Sequence, residues 1–162
     1  MEFNDIQNVR DQVPVLVQNL KDRCNLSNFD IIQQLRLTLP AVVKFNLTNE
    51  LESIKPALKA YVQKEQNCHQ NNVPLHVYEL IASFRKAFST DELKCYSDIL
   101  SARFDDDCNM CPDNDAFDLH SIIEMGKTLS RIYFRQSKFD AVDTVLNKGN
   151  DRRVYTKFLI TN

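Results

Sequence analysis

Residues 5–24 read Asp5-Ile6-Gln7-Asn8-Val9-Arg10-Asp11-Gln12-Val13-Pro14-Val15-Leu16-Val17-Gln18-Asn19-Leu20-Lys21-Asp22-Arg23-Cys24, and within them Ile6, Val9, Val13, Leu16, Val17 and Leu20 recur at steps of three and four. That spacing lines one face of an α-helix, because side chains three and four residues apart lie one above the other. Pro14 interrupts the run. Its missing N–H predicts a kink there or a second helix that begins at it.

The same period continues outward. Ser27 or Asn28 can cap a helix with Phe29, Ile32, Leu35, Leu39 and Val43 in one stripe, thickened by Ile31, Leu37 and Val42. Asn49 with Glu52 forms a weak capping box for a helix from Glu50 to about Gln66, with Leu51, Ile54, Leu58, Tyr61 and Val62 facing inward. Polar residues 66–72 read as a surface loop, and Pro74 suits the first turn of a helix carrying Leu75, Tyr78, Ile81, Ala82, Arg85 and Phe88. Ser89 and Glu92 make a cleaner capping box, ahead of Leu93, Tyr96, Ile99, Leu100 and Phe104.

Residues 105–115, from Asp105 to Asp115, show no periodicity and read as a long acidic loop. Beyond it Phe117, Leu119, Ile122, Ile123, Met125, Leu129, Ile132 and Tyr133 build a long helix that Gln136-Ser137 ends. Ser137 with Asp140 can cap a last helix from Phe139 to Asn147, with Gly149 just past its end. The segments 128–136 and 138–147, with Tyr133, Phe134, Phe139 and Ala141 near the turn, resemble one tetratricopeptide hairpin; without a second copy they read as the corner of a bundle. The expected fold is all-α, a single compact bundle of five to seven helices over residues 1–162. A docked or flexible tail at 150–162 is left open between helix and strand.

Composition agrees with that class. Of 162 residues, 43% are hydrophobic and 26% charged, and the only glycines are Gly126 and Gly149. So little glycine leaves almost no material for hairpin turns or phosphate-cradling loops. A net charge of -2 from 20 basic and 22 acidic residues provides no field for a phosphate backbone, so nucleic acid is not an expected partner. No apolar run approaches the ~20 residues that span a bilayer, and the opening Met1-Glu2-Phe3-Asn4-Asp5 is acidic where a signal peptide would be basic, which reads as an intracellular chain. Five cysteines without regular spacing then read as reduced thiols, and the sequons at Asn25 and Asn46 as chance matches.

Cys108-Asn109-Met110-Cys111 is the sharpest chemical motif, since two thiolates at this spacing can grip one face of a tetrahedral zinc ion. The further ligands it needs have His120, Cys95 and the Cys68-His69 pair as candidates, none at a recognised second-pair spacing. A thiol-disulfide couple of the flavin-dependent oxidase type is the alternative chemistry, but no tryptophan and only three histidines are available to a flavin. A flexible acidic loop carrying two thiols, with no cofactor, is the favoured reading. Asp107, Asn109, Asp113, Asp115 and Asp118 alternate as calcium ligands would, yet Pro112 stands where such a loop needs glycine. No Gly-x-Ser-x-Gly or His-Glu-x-x-His motif is present. His76 reads as partly buried and neutral. Basic groups at Lys148, Arg152, Arg153 and Lys157, and at Arg131, Arg135 and Lys138, read first as a solvated last turn that complements a helix C-terminus and otherwise suit an acidic partner or lipid headgroups; Arg152, Arg153, Tyr155, Lys157 and Phe158 form the candidate interaction surface.

The segment Val9-Arg10-Asp11-Gln12-Val13-Pro14-Val15-Leu16-Val17-Gln18-Asn19-Leu20-Lys21, in an Asn-rich, Gly-poor chain of this length, resembles a small conserved baculovirus protein family associated with nucleocapsid egress from the nucleus. The likeness rests on this segment and on chain length, and it carries over no site residues. It implies a non-enzymatic helical viral protein of the host nucleus, nuclear envelope and cytoplasm, needed for nucleocapsid exit and membrane remodelling. Its implied partners are viral or host proteins, ESCRT-type machinery among them, with peripheral membrane association. Alternatives are a viral helical-bundle antagonist of host apoptosis or immune signalling, and a Cys-x-x-Cys thiol oxidase or zinc-stabilised scaffold.

Overall fold

Asp5 starts the first helix, its carboxylate accepting from the Gln7 backbone N–H at 2.9 Å and so satisfying a donor that has no partner within the helix. A computed structural model describes residues 5–22, 28–67, 73–110 and 116–151. Among them run α1 (Ile6–Lys21), α2 (Asn28–Lys44), α3 (Thr48–Asn67), α4 (Leu75–Ser83), a single 3-10 turn (Arg85–Ala87), α5 (Thr90–Met110), α6 (Ala116–Arg135) and α7 (Phe139–Asp151). These seven helices, with no strand among the described residues, are the all-α bundle that the apolar period predicts. The chain divides into two compact units, Met1–Ala87 and Phe88–Asn162. No helix among the described residues is long and apolar enough to cross a membrane.

In the first unit α1 packs on both α2 and α3. Its Val9, Val13, Leu16 and Leu20 are almost fully buried, and full burial of side chains of this size stabilises by about 1.5–3 kcal/mol each. The helix runs through Pro14 without a second start; Pro14 is exposed, so the carbonyl that loses its N–H partner lies toward water. Polar contacts set the helices' register at the rim. Asn19 donates to Gln34 at 2.9 Å, Tyr61 Oη donates to Asn28 at 2.7 Å, and Arg10 meets Glu50 at 3.2 Å. Lys64 donates to the Lys21 carbonyl at 2.9 Å, placing a cation at the negative end of α1.

Two expectations for this unit need correction. Phe29 is 67% exposed and Leu37 is also exposed, while Ile31, Ile32, Leu35, Leu39 and Val42 are buried. Phe29 and Leu37 lie roughly a third and nearly half of a turn around α2 from Leu35, outside the arc that α1 and α3 can cover. His76 is exposed and sits 3.3 Å from Glu79, one turn on, instead of being partly buried.

The second unit opens on the capping box: Ser89 N–H donates to Glu92 Oε1 at 2.8 Å, and Glu92 N–H donates to Ser89 Oγ at 3.1 Å. Phe88 and Tyr96 then meet edge to face at 6.0 Å. At the far end of α6, Arg135 Nη2 and Gln136 Nε2 donate to the carbonyls of Phe88 and Thr90, both at 3.3 Å, tying the end of α6 to the start of α5.

The acidic segment is a further correction: Asp105 to Met110 continue α5 as helix, and residues 111–115 lie outside the described residues. Leu100, Phe104 and Cys108, each four residues apart, are buried in one row, so packing against α6 extends the helix past three aspartates that its dipole disfavours. Gly149 likewise falls inside α7 instead of ending it.

Two corners reverse the chain with the same backbone geometry and without glycine. After α2, Leu47 N–H donates to Val42 O at 3.0 Å and Asn46 N–H to Val43 O at 3.2 Å, with Asn46 at φ 54°. After α6, Lys138 N–H donates to Tyr133 O at 2.9 Å and Ser137 N–H to Phe134 O at 3.1 Å, with Ser137 at φ 59°. Both are Schellman motifs with a non-glycine residue in the left-handed position. Ser137 therefore ends α6 where the sequence suggests a cap for α7, and the Lys138 carbonyl accepts the first α7 bond from Val142 at 3.2 Å.

In urea unfolding, Asn46→Gly should change stability by no more than a few tenths of a kcal/mol, whereas Asn46→Val should cost about 1–2 kcal/mol through its left-handed backbone. Ser89→Ala should cost about 1 kcal/mol by opening the capping box.

Candidate functional site

The thiol motif separates in the fold. Cys108 is 2% exposed and serves as a small apolar side chain in the α5 row, while Cys95 is half-buried. Thirteen residues along one helix place these two about 20 Å apart, too far to share a metal ion. His120 is exposed on α6, and Cys111 lies outside the described residues, as does the Cys68-His69 pair. Among the described residues no three His, Cys, Asp or Glu side chains gather in a group able to hold a metal ion.

Beside Cys108 stands Asp107, half-buried in the same turn. Burial pushes its carboxyl above the ordinary aspartate range; the Arg103 guanidinium opposes this and the Asp106 carboxylate adds to it. Tyr96 is also held well above the usual phenol range by burial, then by Cys95 and Glu92, and remains a neutral core side chain.

A surface feature is better developed than any thiol site. Phe134 is 64% exposed at the end of α6 and Phe139 54% exposed at the start of α7, yet their rings meet edge to face at 5.2 Å. The Schellman turn produces this pair. It reverses the chain in three residues, Gln136 to Lys138, so that the last turn of one helix stands beside the first turn of the next. Lys138 lies with Nζ 5.9 Å from the centre of the Tyr133 ring, covering the inner side of the corner.

Along α7, Leu146 is 44% exposed and falls on the face of Phe139, with half-buried Val142 between them. Asp143 borders the same row. Across the corner, exposed Arg131 stands one turn before Phe134, while Lys127 pairs with Glu124 at 3.4 Å. The basic group read from sequence thus splits: Arg131 faces water, Arg135 reaches the Phe88 carbonyl, and Lys138 lies over Tyr133.

Arg152, Arg153, Tyr155, Lys157 and Phe158, the interaction surface expected from sequence, lie outside the described residues. The exposed Phe134–Phe139 pair was visible in sequence only as aromatics near a turn. Its signal was that Phe134 breaks the buried stripe of α6 and Phe139 opens a helix. Comparison with protein-family models, curated proteins and solved structures finds no match to the chain.

Asp107 generates a pH prediction. A carboxyl raised in the folded state contributes stability that is complete below the ordinary aspartate pKa and is lost as pH rises through the raised value. At neutral pH the charged form is the disfavoured one. Asp107→Asn should therefore raise the Tm at pH 7, with the gain shrinking to nothing below about pH 3; thermal melts followed by circular dichroism across that range check it.

Proposed function

We propose that this chain is a non-enzymatic protein–protein interaction protein that works through the exposed aromatic corner of α6 and α7. One observation carries the reading: two phenylalanines more than half exposed are packed on each other at a hydrogen-bonded helix turn. Aromatic side chains with few rotatable bonds, already held in place, lose little entropy on binding and make effective anchors. Elsewhere on the described surface, polar side chains serve the fold, as in the Ser89–Glu92 box and the ion pair of Lys94 with Asp98 at 2.7 Å.

The biological setting proposed for that interaction is support of nucleocapsid egress and membrane remodelling at the nuclear envelope of an infected cell. It follows from the N-terminal likeness to the baculovirus egress family, with viral or ESCRT-type host proteins as partners.

Tagged wild-type chain and a Phe134→Ser/Phe139→Ser variant, expressed at equal levels, should differ in recovery of nucleocapsid and ESCRT-type proteins by at least tenfold. A single buried aromatic anchor is worth about 2 kcal/mol or more, which is over tenfold in affinity. Equal recovery by the two chains, both folded by circular dichroism, would remove the corner from the proposal.

A further inference from the structure

We infer that the α6–α7 corner is a self-complementary face on which a second copy of this chain docks, forming a two-fold dimer. The inference rests on the interaction reading above and adds a second copy as a weakly held occupant of the same surface, which a protein partner would displace. It is carried by the order of side chains across the face. At about 100° per residue, Arg131 lies roughly 60° around α6 from Phe134, and Asp143 roughly 40° around α7 from Phe139. Phe134 and Phe139 touch at 5.2 Å, with Leu146 continuing their row, and Arg131 and Asp143 are each turned away from the buried flank of their helix, Tyr133 on α6 and Val145 on α7, so the face runs from a basic edge through an apolar centre to an acidic edge.

The two edges also stand at one height. Arg131 precedes Ser137 by six residues and Asp143 follows it by six, which puts each about 9 Å from the turn along its own helix. A two-fold axis parallel to the hairpin exchanges left and right while keeping height. It therefore sets Arg131 of each copy opposite Asp143 of the other, with the phenylalanines meeting between them. An axis running across the hairpin would instead bring like charges face to face. The charge pattern thus selects both the occupant and the symmetry.

Area sets the strength. The 13 residues of α7 span about 20 Å, and two helices side by side are also about 20 Å wide, giving roughly 400 Å² per copy and 800 Å² for the pair. That is below the standard interface and belongs with weak, concentration-dependent association.

Sedimentation equilibrium on the purified full chain from about 5 to 500 µM should show the apparent mass rising from the 18.8 kDa monomer toward twice that value. Arg131→Glu and Asp143→Arg, both at exposed helical positions, should each sediment as monomer over this range. Mixed in equal amounts they should recover the dimer, because each restores opposite charges to the other. Phe134→Ser/Phe139→Ser should be monomeric alone and in the mixture with either.

A wild-type monomer at every concentration overturns the inference, as does a charge-reversal mixture that stays monomeric while both chains keep their helical dichroism. So does a dimer that survives loss of both phenylalanines. These results are separable from the interaction reading, which stands or falls on recovery of nucleocapsid and ESCRT-type proteins.

Discussion

A helix can be turned back on its neighbour in three residues only if one residue takes a left-handed backbone, and among the described residues that turn is made twice without glycine. Asn46 does so between α2 and α3, and Ser137 between α6 and α7. In each case the residue after it donates five residues back and its own carbonyl opens the next helix, so one short segment ends one element and begins another. In the first corner that residue is the buried Leu47; in the second it is Lys138, lying over Tyr133. The aromatic pair exists because the second turn is this tight. With a longer connection, Phe134 and Phe139 would be separate exposed side chains with rotational freedom to lose.

The second unit shows packing overruling local preference. Asp105, Asp106 and Asp107 stand near the C-terminal end of α5, where the helix dipole disfavours anions, and no basic residue stands in the last turn. Each unfavourable placement is worth a fraction of a kcal/mol when exposed. Burying Phe104 and Cys108 against α6 contributes several times more, so the helix continues. Asp107 bears part of the cost, its carboxyl raised by burial. Cys108 of the Cys-x-x-Cys motif is thereby an interior side chain, not an accessible ligand.

The surface carries the functional argument. Exposed apolar side chains are ordinary when single, and Val15 on α1 is one of them. Phe134 and Phe139 differ in being held together by ring contact across a hydrogen-bonded turn, with Leu146 on the same face of α7 and opposite charges on the two sides. Such an arrangement combines a preorganised apolar anchor with a charge pattern that sets orientation.

The recurrence of Val9, Val13, Leu16 and Leu20, the Ser89–Glu92 box and the scarcity of glycine make the helical class, most helix positions and one helix start legible in the sequence. These are local properties, decided by residues within one or two turns of each other. What tertiary structure alone decided is which of several apolar arcs is covered. Phe29 and Phe134 are apolar like their buried neighbours yet lie exposed, and Cys108, in a segment that reads as an acidic loop, is interior on a helix that packs against α6. Periodicity says that a helix has an apolar face, but the width of that face, and the part of it left to water, depend on partners far away in the chain.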